Sequence, residues 1–319
     1  MSSTTITCRL CHSANYDIIK NTLRYGVKRR VLYCQQCGLV YLEPKGTTST
    51  EYYSGEDYRQ TYGPNLKKVA DCREIFETYL PFQNEIIKEI EPILRADMRV
   101  LDVGCSTGHF LAALKGLVGV RVGMEFNQNE VEFIKTNLDF PVYTEPLEKA
   151  VIQEGPFDLV TALQVVEHIE DPLSFLHDLG KNIKLDGYLY LELPNIHDIM
   201  LDGYHIAGYE EFYYREPHVS YFSEKTLGQL VDQAGFQGTI KTVQRYTFMN
   251  HLHWLLTGKP QDNFTVGNAD PILITDDDVP VTLREDFNAF IKQADKDYKY
   301  LIEKHGLGES LTFLGKKKI

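Results

Sequence analysis

Apolar residues along this chain fall into short runs separated by helical patches, the alternation of a layered α/β fold. Runs at 99–103, 120–124, 141–144, 157–163 and 188–193 each read as a strand buried on both faces. Between them the apolar period changes to three or four. Val69, Ile75, Phe76, Tyr79 and Leu80, then Ile86, Ile87 and Ile90, mark helices over 66–94, broken or capped by Pro81 and Pro92. Phe110, Leu111 and Leu114 mark the inner face of another. Asp171 and Pro172 supply an N-cap and a first helical position ahead of Leu173, Leu176, Leu179 and Ile183. Ser223 caps a further helix that turns Leu227, Leu230, Val231 and Ala234 inward and stops at Gly235. Residues 236–246 alternate as a sixth strand, and 310–315 read as a seventh. The pattern predicts an α/β fold with a seven-stranded sheet, six strands parallel and the last antiparallel. An insertion at about 247–308 carries two helices, one around 250–256 and one over 281–304. It is expected at the sheet edge, where it would wall a pocket or carry an oligomer contact.

The first fifty residues follow another rule. Cys8-Arg-Leu-Cys11 and Cys34-Gln-Gln-Cys37 are two C-x2-C pairs. Each pair folds as a knuckle aiming two thiolates at one point, and four thiolates close a tetrahedral zinc shell with no open position. Gly38 follows the second pair where a residue tolerant of positive φ is needed, and 31–33 and 39–42 read as short strands. The predicted unit is a zinc ribbon whose Zn2+, held by Cys8, Cys11, Cys34 and Cys37, is structural. Domain limits follow: a zinc-ribbon module at 1–50, a tyrosine-rich loop and helical lid or linker at 51–95, and the α/β domain at 96–319. Tyr52, Tyr53 and Tyr58 are candidates to cover a pocket.

The turn after the first sheet strand decides the ligand. Val100-Leu-Asp102-Val-Gly104-Cys105-Ser106-Thr-Gly108 lacks the glycines that G-x-G-x-x-G would place at 106 and 109. It carries instead an acid two residues before the first glycine. That carboxylate repels a diphosphate and attracts an ammonium and a sulfonium, so the ligand is cationic and not a dinucleotide. The second strand ends in Glu125, placed to accept ribose hydroxyls of an adenosine. The third leads to Glu145-Pro146-Leu147-Glu148, where the chain can pass beside an adenine. Ligands bind beyond the carboxyl ends of such strands, so Gln164 to His168 and Pro194-Asn195 are expected to face the same crevice.

With these motifs in place the sequence resembles the class I S-adenosylmethionine-dependent methyltransferases, over roughly residues 5 to 250. Residues 100–108, 157–172 and 221–236 look like that family's cofactor motif, its post-strand-four motif and its late helix. The cysteine pairs, Glu167-His168 and His218-Val-Ser-Tyr-Phe-Ser223 look like a branch that includes sugar and natural-product methyltransferases. The resemblance implies a Rossmann-like sheet and S-adenosyl-L-methionine as cofactor. The cofactor set is then Asp102, Gly104, Cys105, Gly108, Glu125, Phe126, Leu147 and Gln164. Ser106 departs from the glycine often found there. Methyl transfer to a hydroxyl needs a base. His168 is the candidate, with Glu167 to orient or tune it, and His218 is expected near the acceptor; a histidine packed against the sheet is the competing reading. The implied acceptor is a sugar, a nucleotide-sugar or a related metabolite. O-methylation is favoured over C-methylation, because relatives that methylate sugar carbon carry a longer C-terminal domain.

Charge and composition narrow the partners. A net charge of -12 argues against a nucleic-acid partner, although a ribbon can grip RNA, so an RNA methyltransferase is one alternative reading. A non-catalytic binding protein on the cofactor fold is another. The cluster Lys28-Arg29-Arg30 reads as a solvated turn. No run approaches the roughly 20 apolar residues that span a bilayer, the first residues lack the build of a secretory signal, and six cysteines read as four metal ligands plus the free thiols Cys72 and Cys105 imply a reducing, cytoplasmic setting.

Overall fold

The computed structural model describes residues 6–45, 65 and 69–318; Tyr52, Tyr53 and Tyr58 lie outside the described residues. Two sheets organise the chain. The first contains β1 (Tyr16–Thr22), β2 (Lys28–Cys34) and β3 (Val40–Leu42). The second runs through β4 (Arg99–Val103), β5 (Val120–Met124), β6 (Val142–Tyr143), β7 (Phe157–Leu163) and β8 (Ile183–Pro194). After the short β9 (Ser220–Tyr221), it is completed by β10 (Phe236–Val243) and β11 (Ser310–Lys317).

The large sheet has the order β10-β11-β8-β7-β4-β5-β6. β4 pairs in parallel with β5 and β7, β5 with β6, and β7 with β8; β11 is antiparallel to both its neighbours. The buried faces of β4, β7 and β8 follow from their unbroken apolar runs. The crevice beyond their carboxyl ends is the natural ligand position where the strand order reverses, between β4 and β7.

Helices fall where the apolar period predicts them. Cys72–Tyr79 and Gln83–Ile90 are separated by a 3-10 turn containing Pro81. The helix Pro172–Asn182 starts with Asp171 accepting from the Ser174 N–H, and Glu224–Gln233 starts with a reciprocal Ser223–Thr226 cap. The insertion between β10 and β11 contains Phe248–Thr257, Phe264–Asn268 and Val281–Lys304. Among the described residues no helix is long and apolar enough to cross a membrane.

Two local readings change. Lys28-Arg29-Arg30 is the start of β2 rather than a turn, with Arg29 Nε donating to the Glu43 carbonyl and Arg30 paired to the Glu43 carboxylate. Residues 218–223, for which no strand is predicted above, contain β9, which adds to β3 as the fourth strand of the small sheet. Cys8, Leu10, Leu39 and Tyr41 therefore share one apolar core with Val166, Leu193 and Phe222. Burial forces this, since three short strands cannot cover their own apolar face.

Candidate functional site

The four predicted metal-ligating cysteines converge. Cys8 Sγ lies 3.5 Å from Cys37 Sγ, and Cys11 Sγ lies 3.5 Å from Cys34 Sγ. All four sulfurs fall within 4.8 Å of one another. Disulfide sulfurs would sit about 2 Å apart, whereas thiolates around a tetrahedral ion stand ~3.8 Å apart. The Leu10 and Leu39 N–H groups donate to Cys8 Sγ and Cys37 Sγ, each at 3.5 Å, the knuckle arrangement that the C-x2-C spacing requires. The donor set fits a zinc-sized ion.

On the large sheet, the turn after β4 is pinned to β5: the Gly104 and Cys105 N–H groups both donate to the Met124 carbonyl. Gly104 has φ +78°, and a Cβ there would meet Val165 Cγ2 at 2.6 Å. Ser106 takes φ +49°, where glycine would be relaxed. Asp102 is 2% exposed and accepts from the Thr161 hydroxyl at 2.6 Å. Burial pushes its carboxyl up to about 7; the Thr161 hydroxyl opposes this, and the Glu125 charge adds to it. The Glu125 carboxylate accepts from the Ser106, Phe126 and Asn127 N–H groups at 2.7–2.9 Å, which ties the two strand exits together.

Beyond β7, Gln164 is held at φ +57°, and the 3-10 turn Val166–His168 follows. Glu167, His168 and His218 are all buried, with ligating atoms within 4.8 Å of one another. His168 Nδ1 is 2.9 Å from the Pro217 carbonyl. Its ring meets that of His218 edge-on, centroids 4.8 Å apart. Arg215 Nε donates to His218 Nε2 at 2.8 Å. Burial, with the Arg215 and His168 charges beside it, holds His218 well below the usual imidazole range, so it is neutral. Burial also pushes the Glu167 carboxyl up to about 8.

One cavity of about 480 Å³ joins these pieces. Asp102, Gly104, Cys105, Gln164, His168 and His218 all line it. Other predicted site residues lie outside its lining. Gly108 is packed where a Cβ would meet Leu138 and Phe140 at 2.8 Å, and Leu147 belongs to the apolar core. Glu125 and Phe126 stand at the β5 exit. Asn195, expected in the crevice, instead donates its amide to the Gly306 and Gly308 carbonyls. The insertion, expected to wall a pocket or carry an oligomer contact, lines it through Trp254 and Phe264; sequence reasoning missed the rest of the far wall, Arg24 from the turn between β1 and β2, Tyr209 and Phe212. The only sequence signal for it was the aromatic density of 204–214 and 246–254.

Residues 75–240, just over half of the 319-residue chain, match the family described as "Methyltransferase domain". The chain belongs to the methyltransferase-domain family. This methyltransferase domain is also similar to curated "Ubiquinone biosynthesis O-methyltransferase" proteins. The identity is 25% with that of Hydrogenovibrio crunogenus, over 36% of this chain and 49% of the relative. It is 29% with that of Colwellia psychrerythraea, over 31% and 43%. The chain spans about half the length of the curated relatives it matches. Among solved structures it is similar to a SAM-dependent methyltransferase from Archaeoglobus fulgidus, at 18% identity over 75% of this chain and 94% of that one, with a TM-score of 0.47. A putative methyltransferase from Bacillus halodurans gives 18% identity over 75% and 99%, with a TM-score of 0.46.

Proposed function

We propose that this chain transfers the methyl group of S-adenosyl-L-methionine to a hydroxyl of a small-molecule acceptor, and that a structural zinc ion holds its four-cysteine module. The observation that carries the reading is that the buried Asp102 carboxyl and the His168 and His218 imidazoles line one cavity. The ammonium and sulfonium of the cofactor would lie on the Asp102 side. Its ribose would be directed towards Glu125, and its adenine towards Phe126. When bound, the cofactor would supply an activated methyl group, and the Glu167–His168–His218 cluster would draw off the acceptor's proton. The cavity would hold the acceptor hydroxyl in line with that methyl, so that an O–CH3 bond could form as the S–CH3 bond breaks. Zinc is supported by the sulfur spacing and the knuckle N–H bonds, and thiolates so used suit a reducing compartment such as the cytoplasm.

For the acceptor we retain a sugar, a nucleotide-sugar or a related metabolite. Aromatic walls at Tyr209, Phe212 and Trp254 beside the Asp198 and Glu309 carboxyls suit a ring that carries hydroxyls. The names of the curated relatives favour a second acceptor, an intermediate of ubiquinone biosynthesis. Calorimetry with S-adenosylhomocysteine and NADH tests the cofactor; tight NADH binding without the homocysteine would end the proposal. Transfer of labelled methyl to nucleotide-linked sugars or to hydroxylated aromatics then separates the two acceptors.

A further inference from the structure

Arg215 reaches the cavity just after the helix Ala207–Tyr213, held at two points. Its N–H donates to the Tyr221 hydroxyl at 2.9 Å, and that hydroxyl donates to its carbonyl at 3.1 Å. Its Nε donates to His218 Nε2 at 2.8 Å, which fixes the side chain and leaves the two terminal nitrogens beyond it. Those nitrogens have no hydrogen-bond or ion-pair partner among the described residues. The surrounding acids are committed elsewhere. Glu216, next in the chain, pairs with Lys45; Glu192 is clasped by Arg245, and Asp198 accepts from Tyr209. Glu167 faces the guanidinium, but burial pushes its carboxyl up to about 8 against the pull of Arg215, so it is uncharged at neutral pH. Burial also pushes the Tyr213 and Tyr246 phenols up, and both stay neutral. A second guanidinium, that of Arg24 stacked on Phe212, lines the same cavity. A partly buried cation without a counter-ion is costly, and the fork of terminal N–H groups matches two oxygens of one carboxylate or phosphate.

We propose that Arg215 binds an anionic group of the acceptor, a carboxylate or a phosphate, close to the hydroxyl that is methylated. This rests on the methyl-transfer reading above and narrows its acceptor. The cofactor's own carboxylate is a poor match for the guanidinium. Asp102 marks the ammonium end, and the groups acting on its carboxyl are Thr161 and Glu125, neither of them a cation. Arg215 acts instead on Glu167 and His218, at the acceptor end. An acidic sugar or a phosphate-linked one supplies the missing counter-ion. A neutral hydroxylated aromatic would strand the guanidinium desolvated and unpaired, and a site built around a polar partner rejects a ligand that lacks it. Arg215 is thus a specificity residue, and its hold on His218 keeps the anion beside the cluster that takes the proton.

The test is calorimetry on the full chain, with and without S-adenosylhomocysteine, using glucuronate, glucose 1-phosphate, inorganic phosphate, glucose and catechol as probes. At least one acid should bind at least about tenfold more tightly than glucose and catechol. Preference for glucuronate assigns a carboxylate, and preference for either phosphate probe a phosphate. Arg215→Met should abolish the preference with S-adenosylhomocysteine affinity unchanged, and Arg215→Lys, which keeps the charge without the fork, should restore part of it. Glucose or catechol binding as tightly as the acids, no binding of any acid, or a preference that survives Arg215→Met overturns the proposal. A loss of S-adenosylhomocysteine affinity in Arg215→Met overturns it too, by assigning the guanidinium to the cofactor. Should the variants not fold, phenylglyoxal on the wild-type chain decides: protection of Arg215 by the acids and not by glucose supports the site, and equal modification refutes it. Failure of the cofactor reading would appear separately, as absent S-adenosylhomocysteine binding with the preference for acids intact.

Discussion

Asp102 stands with 2% of its surface exposed at the end of a strand, so its proton equilibrium is part of ligand binding. Burial raises its pKa to about 7, and a cationic ligand favours the ionised form. Binding therefore expels a proton below that pH. Affinity for S-adenosylhomocysteine should rise from pH 6 towards 8, by at most about tenfold per unit below 7, and level off above. Calorimetry in two buffers of different ionisation enthalpy measures the released proton, and Asp102→Asn should flatten the profile. The same shift acts on folding with the opposite sign to an ion-paired aspartate. Between the unfolded value near 4 and about 7 the folded chain holds the extra proton, so this group's contribution to stability falls as pH rises through that window. Gly104 makes the second prediction at this scale. Its φ of +78° and the 2.6 Å approach to Val165 leave no room for a methyl. Gly104→Ala should weaken S-adenosylhomocysteine at least about tenfold, a cost of roughly 1.4 kcal/mol, measured by the same titration.

Elements transmit these positions. β3 pairs with β9, and the Leu42 N–H donates to the Val219 carbonyl, one residue after His218. The four-cysteine module thus holds the loop that presents His218. Stripping the module with a strong chelator should release one zinc per chain, lower the melting temperature and disturb the His218 loop, read by amide hydrogen exchange over 215–223. An unchanged exchange pattern after release would separate the module from the loop. A second tie runs under the cavity, where Arg245 clasps both oxygens of Glu192 at 2.7 and 2.8 Å and its N–H donates to Glu309. Burial pushes the Glu309 carboxyl up to about 8 against the pull of Arg245. Arg245→Met leaves Glu192 and Glu309 buried without their cation, and urea unfolding should show a loss of about 3 kcal/mol.

At the scale of the whole molecule, the cavity is assembled from three parts of the chain: the large sheet, the turn between β1 and β2 through Arg24, and the insertion through Trp254 and Phe264. Arg24 stacks on Phe212 with its guanidinium carbon 3.4 Å from the ring centroid, and Phe212 packs edge-on against Trp254. Trp254 is the chain's single tryptophan. Its emission should respond strongly when an acceptor enters and weakly to S-adenosylhomocysteine, whose proposed position is at the glycine turn. Equal responses to both would place the acceptor elsewhere.

The cysteine pairs, the acid-glycine turn and Glu167-His168 were legible because their chemistry is local: a few residues apart in sequence, they stay a few ångströms apart in any fold that forms the turn. The strands themselves were legible for a related reason, since buried parallel strands announce themselves as unbroken apolar runs, whereas their order in the sheet was not. Leu147 and Asn195 misled because a strand-end position says where a residue stands, but not whether its side chain turns to the crevice or to the core. The meeting of Arg24 with Phe212, the capture of β9 by the small sheet and the gathering of Arg245, Glu192 and Glu309 lie beyond any window of sequence. Each joins residues from separate elements, and their pairing is set by which apolar faces must be covered. The sequence by itself determined the donors and the turn that select a ligand; packing alone decided which of them share a cavity, and brought His218 to Glu167 and His168 from a separate part of the chain.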